Sequence, residues 1–328
     1  MISGTIVAYI YGVVKTIYMK KKPSLICLVS LIVVFFACSP VFAAVEARFL
    51  YNLSDFFGTV PVAGAGLAID YDRNETYVLY QETARVFNEA GMEVYSFSDA
   101  GTDLGIMRGL AVLPEGDLIT LSFSYEGGAR IVRRNYRGEP ISEIKMNGLP
   151  SELSQFVPYQ MRYNKGLLYF ADLSLQVVVT DVNGLVKKHY DLLPLLELKP
   201  DERADNMMTG FDVDKDGDLL FTIKVLFQAF VLSPEGKLRS FGQAGSMPGK
   251  FNQASGITSD TRGNYLVADQ LKGAVQIFDK GFTFLSMFGD WEGEPGTLLS
   301  PQDVAVNSKD MVYVAANRGV SVYRLSYK

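Results

Sequence analysis

Three aspartates at alternate positions, Asp214, Asp216 and Asp218 in DVDKDGDLL, are potential metal ligands. Alternate carboxylates before a glycine open a calcium loop, where hard oxygen donors converge on the ion. That chemistry also needs a distal bidentate glutamate, and the following stretch, FTIKVLF, has none. The same slot reads LPEGD and SDTRGN elsewhere in the chain, so an acidic hairpin turn is the better reading. His189 is the only histidine, which excludes a zinc site built from imidazoles. It alternates with charged neighbours in LVKKHYDL, the pattern of a solvated outer strand. No G-x-S-x-G elbow is present, so a serine nucleophile would lack both its turn and its base. Walker-type and dinucleotide-type glycine loops are absent. Arg133, Arg134, Tyr136 and Arg137 make a small basic cluster, expected to be the solvated face of a strand. Asp172 and Asp269 each close a strand-like run. There a carboxylate either caps local backbone amides or, with Gln270, faces a ligand. No catalytic set and no metal set emerges, and no cofactor is expected.

The elements that must position these residues repeat along the chain. A turn between two apolar runs recurs at Asn74, Gly116, Gly166, Gly217, Gly263 and Asp310, with separations of 42, 50, 51, 46 and 47 residues. A second turn recurs at Gly91, Gly138, Gly184, Gly236 and Gly281, separated by 47, 46, 52 and 45, each with Asn, Asp or Ser two or three residues earlier. Gly, Asn and Asp tolerate the positive φ that such turns need. Two turns per period of 40–50 residues imply four short strands per unit, which is a propeller blade. Residues 44–328 divided among six blades give about 47 each.

The sixth unit ends at GVSVYRLSYK without an outer strand, while EARFLYNLSDFFG near the start is a strand without a unit. Residues 46–56 are therefore expected to complete the last blade, with Phe57-Gly58 matching Phe288-Gly289 and Phe241-Gly242. The fold class is all-β: a six-bladed β-propeller of four-stranded antiparallel blades, closed by an N-terminal strand. In it Arg108, Arg162, Thr209, Ser255 and Gln302, at the starts of the inner strands, are expected to ring the axis. With Asp172, Asp269 and Gln270 they form the candidate ligand face. The irregular stretches Pro150–Tyr159 and Leu192–Thr209 lengthen two connections on that face, where binding tends to reside. LPLLEL in the second is expected to be a short helix with Leu193, Leu195 and Leu196 packed down.

The stretch from Phe241 to Gly289, with FG, a following PG and aromatic, YLVAD and VQIFDKG, resembles the NHL repeat. Phe288-Gly289, Pro295-Gly296, DVAVN and VYVAAN carry the resemblance into the sixth unit. It implies a six-bladed propeller of the NHL and lactonase-like class. Lactonase-like members hold an axial metal with Glu, Asn and Asp side chains, a set not assembled here. The peptide-amidating lyases need several metal-binding histidines. The tripartite-motif relatives bind RNA through a basic face. A complete propeller architecture without a catalytic constellation is therefore read as an exported non-catalytic binding or scaffold module, with a metal-dependent hydrolase or lactonase as the alternative.

The chain has 328 residues, 48% of them hydrophobic and 20% charged, which is globular composition. Residues 1–45 contain no acid. Lys20–Lys22, the apolar run LICLVSLIVVFFAC and the small residues Val41 and Ala43 follow the order of a signal peptide. Residues 1–43 are expected to be removed, with 1–18 an upstream extension before Met19. An uncleaved anchor or lipidation at Cys38 is the alternative, and only then is a membrane partner expected. The remaining propeller, 44–328, keeps neither Cys27 nor Cys38, so it has no disulfide or thiolate site. It carries 27 basic and 36 acidic side chains, net −9. Such a surface repels nucleic acid. The expected partner is an envelope or extracellular protein or a small ligand, met in the periplasm or outside the cell. N-terminal sequencing of the exported product is expected to begin at Ala44; a product starting at Met1 or Met19 would refute cleavage.

Overall fold

A computed structural model describes residues 45–55, 57–60, 62–290 and 293–328. The segment expected to be a signal peptide, its expected cleavage site and both cysteines lie outside the described residues. Six four-stranded antiparallel sheets follow one another along the chain. Their inner strands are Gly66–Asp70, Ile106–Val112, Gln160–Asn164, Met208–Val213, Ala254–Ser259 and Asp303–Val306. The outer strand of blade six is Val45–Asn52, which pairs with Gly319–Tyr327 through Ala47 opposite Leu325, Arg48 opposite Arg324 and Asn52 opposite Ser321. The N-terminal strand thus completes the last blade.

Alternation along each strand sends side chains to both faces of its sheet, and each face must be covered. The core accordingly consists of hydrophobic clusters at the blade–blade interfaces. One joins blades three and four through Val177, Phe211 and Phe221, and another joins blades five and six through Leu266, Ile277 and Val312. The cluster between blades six and one includes Leu53, Val60 and Val62 beside Tyr313, Val322, Leu67 and Val78.

The recurring turns share one device. Asn88, Asn135, Asp181, Asp214, Asp260, Asp279 and Asn307 each accept with Oδ1 from amides two and four residues ahead. These side chains satisfy backbone donors that the reversal would strand. Asp214, Asp216 and Asp218 therefore form a turn of this kind, and among the described residues no group of His, Cys, Asp or Glu is arranged to hold a metal. In one turn the left-handed residue is Phe282, at φ 69°, and not Gly281. Gly138 is required for a second reason: the Phe97 ring of blade one lies where its Cβ would be. Tyr51 covers Gly91 in the same way, so the N-terminal strand also clasps blade one.

Three expectations are corrected. Phe57 does not match Phe241 and Phe288, which are both 6% exposed; it is 94% exposed at the tip of a small hairpin pairing Ser54 with Thr59. Leu53, 1% exposed and bonded from its amide to the Val320 carbonyl, follows the paired strand and fills the core in its stead. Leu195 faces outward at the end of the helix Leu192–Leu195, while Leu192 and Leu193 are buried. Arg134 is not solvated. Its guanidinium is buried and donates to both Asp99 oxygens at 2.9 and 2.5 Å, to Thr120 Oγ1 and to the Gly138 carbonyl. The sequence pattern of a charged strand hid this because the partner, Asp99, lies in the preceding connection.

Leu53→Ala is expected to cost about 2–5 kcal/mol, as for other buried leucines, read by chemical denaturation. A loss near zero would mean that the N-terminal segment does not hold the seam.

Candidate functional site

The axis can be read by counting back from the first turn of each blade, at Asp70, Leu113, Asn164, Asp214, Asp260 and Asn307. Four residues back stand Gly66, Gly109, Gln160, Gly210, Gly256 and Asp303. Glycine suits this level because neighbouring inner strands nearly touch. A Cβ on Gly210 would strike the Ser255 carbonyl, and one on Gly256 would lie 2.7 Å from Asp303 Cα. Two residues back stand Ala68, Ala111, Arg162, Asp212, Thr258 and Ala305. The axial wall is therefore small and apolar on blades six, one and two, and polar on blades three to five.

Arg162 organises the polar half. Its Nε lies 3.4 Å from Asp212 Oδ1 on the adjacent blade, and its Nη2 lies 3.6 Å from Asp303 Oδ2 on the opposite blade. Asp212 also accepts from Thr258 Oγ1 at 2.7 Å, and Asp303 accepts from the Leu67 amide at 3.0 Å. Burial pushes both carboxyls above the usual carboxylate range, with Arg162 opposing the shift in each. From this level a cavity of about 570 Å³ opens towards the first turns. Tyr71, on the turn of blade one, lines it. The residue is 56% exposed, while desolvation by its surroundings pushes its phenol well up, Asp212 adding to the shift and Arg162 opposing it.

The mouth is tied blade to blade. Lys165 Nζ donates to the Lys215 carbonyl, Lys215 Nζ to the Thr261 carbonyl, Thr261 Oγ1 to Asp310, and Ser308 Oγ to Asn74 Oδ1. These bonds run from blade three round to blade one.

The sequence-predicted residues divide between this channel and the opposite face. Arg162 alone among them lines the cavity. Arg108 and Thr209 lie at bulges in the inner strands of blades two and four, and Ser255 lies in the bulge of blade five. Arg108 is exposed over the Tyr159 ring at 5.3 Å. Thr209 Oγ1 bonds Thr222 Oγ1 at 2.9 Å. Ser255 is buried, donating to the Ala268 and Pro301 carbonyls. Gln302 donates to Asn317 Oδ1 at 3.0 Å, and Gln253 donates to Gln270. Asp172 accepts from the Ser174 and Gln176 amides, and buried Asp269 from those of Asn252 and Gln253, so both carboxylates serve as backbone caps. His189, on the outer strand of blade three, lies 2.6 Å from Gln176 Oε1. Asp212, Asp303 and Tyr71 escaped the sequence reading. Counting to a common turn residue would have found Asp212, because Arg162 and Asp212 each stand two residues before their turns, whereas Asp303 stands four before its own and Arg108, Thr209, Ser255 and Gln302 stand five before theirs.

The second-to-third strand loops carry exposed apolar side chains in successive blades: Tyr125, Leu173, Val225 and Leu271. Val157, Leu195, Met207, Met247 and Leu299 join them from the blade connections. The connection before blade four is pinned down by Arg203, which donates to the Ser174 carbonyl and to both Asp191 oxygens.

No protein-family model matches the chain. Over 104 residues it is 32% identical to protein brain tumor of Drosophila melanogaster, a stretch covering 29% of this chain and 10% of that protein. A Bacteroides thetaiotaomicron protein of unknown function has TM-score 0.60 at 13% identity, over 86% of this chain and 76% of its own. A catalytically inactive histidine-to-alanine form of virginiamycin B lyase from Staphylococcus aureus, solved with quinupristin, has TM-score 0.53 at 11% identity, over 86% and 98%. At these identities the solved structures share the fold alone.

A carboxyl whose folded pKa is raised favours the folded state when protonated. That contribution is full below the ordinary aspartate value and is lost as pH rises through the folded value. Wild type is therefore expected to lose ground to Asp212→Asn as pH rises from about 4, by no more than ~1.4 kcal/mol per pH unit. Paired urea titrations between acid and neutral pH measure this. A difference that is flat, or that moves the other way, would refute the raised value.

Proposed function

We propose that this protein is an exported, non-catalytic binding propeller that docks an envelope or extracellular protein on the face of its second-to-third strand loops. The observation that carries the reading is the recurrence of exposed apolar side chains there. Tyr125 is 68% exposed, Leu271 69% and Met247 67%. Exposed apolar residues gathered on one face favour association, since burying them is worth about 25 cal/mol per Å². Inside this crown lie the amide pairs Gln253–Gln270 and Gln302–Asn317, together with Gln160, bonded to the Thr209 carbonyl. Side-chain amides surrounded by apolar groups match the chemistry of a polypeptide, which offers both. Export rests on the N-terminal segment.

Two features weigh against the hydrolase alternative. At the axis Asp212 and Asp303 are already compensated by Arg162, Thr258 and the Leu67 amide. A dication there would meet a guanidinium. The lyase from Staphylococcus aureus loses catalysis when one histidine becomes alanine. The single histidine of this chain is held on an outer strand, away from the channel.

A photo-crosslinking residue at Leu271 or Val225 is expected to capture the same envelope protein, and one at Lys215, on the opposite face, is expected not to. Leu271→Asp with Val225→Asp is expected to weaken binding of the captured protein at least about tenfold, ~1.4 kcal/mol. Capture that is equal from both faces, or unchanged in the double variant, would overturn the reading.

A further inference from the structure

The axial cavity lies on the face opposite the apolar crown and carries a separate inference. Its volume of about 570 Å³ falls within the range of small-molecule sites. At its inner end Arg162 is under-used. A guanidinium has five N–H donors, yet the one hydrogen bond of good geometry from Arg162 runs from Nη1 to the Met161 carbonyl at 3.1 Å. Its approaches to Asp212 and Asp303, at 3.4 and 3.6 Å, are charge contacts longer than a normal N–H···O bond. The carboxylates have firmer partners of their own, in Thr258 and the Leu67 amide.

A ligand that completes Arg162 must therefore bring acceptors. A carboxylate or phosphate would bring its charge beside Asp212, and like charges disfavour each other at such range. An amine would approach the guanidinium itself. A hydroxyl avoids both problems, because it accepts from Arg162 while donating to Asp212 and adds no charge. The remaining wall fits the body of such a ligand. Ala68, Ala111 and Ala305 leave room on the apolar side, and the half-exposed Tyr71 lines the wall. An aromatic ring covers the C–H face of a pyranose as apolar surface against apolar surface. Side-chain hydrogen bonds link the turns of blades three to six around this mouth.

We propose that the axial cavity binds a neutral polyhydroxylated ligand, a mono- or disaccharide, through Arg162, Asp212 and Thr258 at its inner end and Tyr71 in its wall. Saturation-transfer NMR on the exported chain tests this with glucose, galactose, N-acetylglucosamine, maltose and cellobiose, against glucuronate and putrescine as charged probes. At least one neutral sugar is expected to bind. Tyr71→Ala, an exposed turn position, and Thr258→Val are each expected to weaken it at least about tenfold, with the melting temperature of Tyr71→Ala unchanged. Leu271→Asp, on the other face, is expected to leave sugar binding unaltered, which separates this site from the protein-docking reading. Binding confined to the charged probes, no binding by any neutral sugar, or full binding in Tyr71→Ala would overturn the proposal.

Discussion

A ring of sheets built from one chain has a single seam where its two ends meet, and the rest of this molecule depends on how that seam is sealed. Interior blades are stapled to their neighbours by the connection that leads from one to the next. Blades six and one lack such a link unless the chain supplies it from its start. Val45–Asn52 does so by pairing along Gly319–Tyr327. Leu53 then enters the core between the two blades, and Tyr51 lies over Gly91 in the second turn of blade one. The same few residues therefore complete one sheet, fill the interface and clasp the neighbour. An open seam would expose the ladder edge of Gly319–Tyr327 and the apolar faces on both sides.

Closing the ring forces the inner strands together, and the axis records the result. Glycine at four of the six closest positions lets backbones approach. The two exceptions, Gln160 and Asp303, lie on opposite blades, and Asp303 faces Arg162 across the channel. A guanidinium shared between an adjacent and an opposite blade joins distant parts of the ring through charge. It also divides the channel into an apolar half and a polar half. The two faces of the disc differ accordingly. One presents loops with apolar tips around amide side chains, and the other presents tight turns linked by hydrogen bonds around a cavity.

Buried charge is used differently at the periphery. Arg134 and Asp99 are both almost wholly enclosed, and the guanidinium spends its donors on a carboxylate, a hydroxyl and a carbonyl. Such a pair is fully satisfied, so it contributes geometry between blades one and two and leaves no group for a ligand. Arg162 has the same chemistry with looser partners and an open cavity beside it. The contrast between the two arginines lies in the partner distances and in burial, with Arg134 1% and Arg162 20% exposed.

The blade count, the turns and the closing strand were legible in the residues because each is a local or periodic signal. Glycine, asparagine and aspartate mark positive φ wherever they fall, and the orphan strand at one end answers the missing strand at the other. Its register was legible only in part: Phe57-Gly58 looked like the end of other outer strands, but a two-stranded hairpin consumes it and Leu53 takes the buried place. Of the residues expected around the axis, Arg162 lines the cavity, and Arg108, Thr209 and Ser255 prove to lie in strand bulges. By itself the sequence determined the architecture, because hydrophobic alternation and turn chemistry act between near neighbours. The meeting of Arg162 with Asp212, Asp303 and Tyr71, and of Arg134 with Asp99, was decided only by the tertiary structure. Those partners are brought together by closure of the ring, and no local spacing encodes a distance across it.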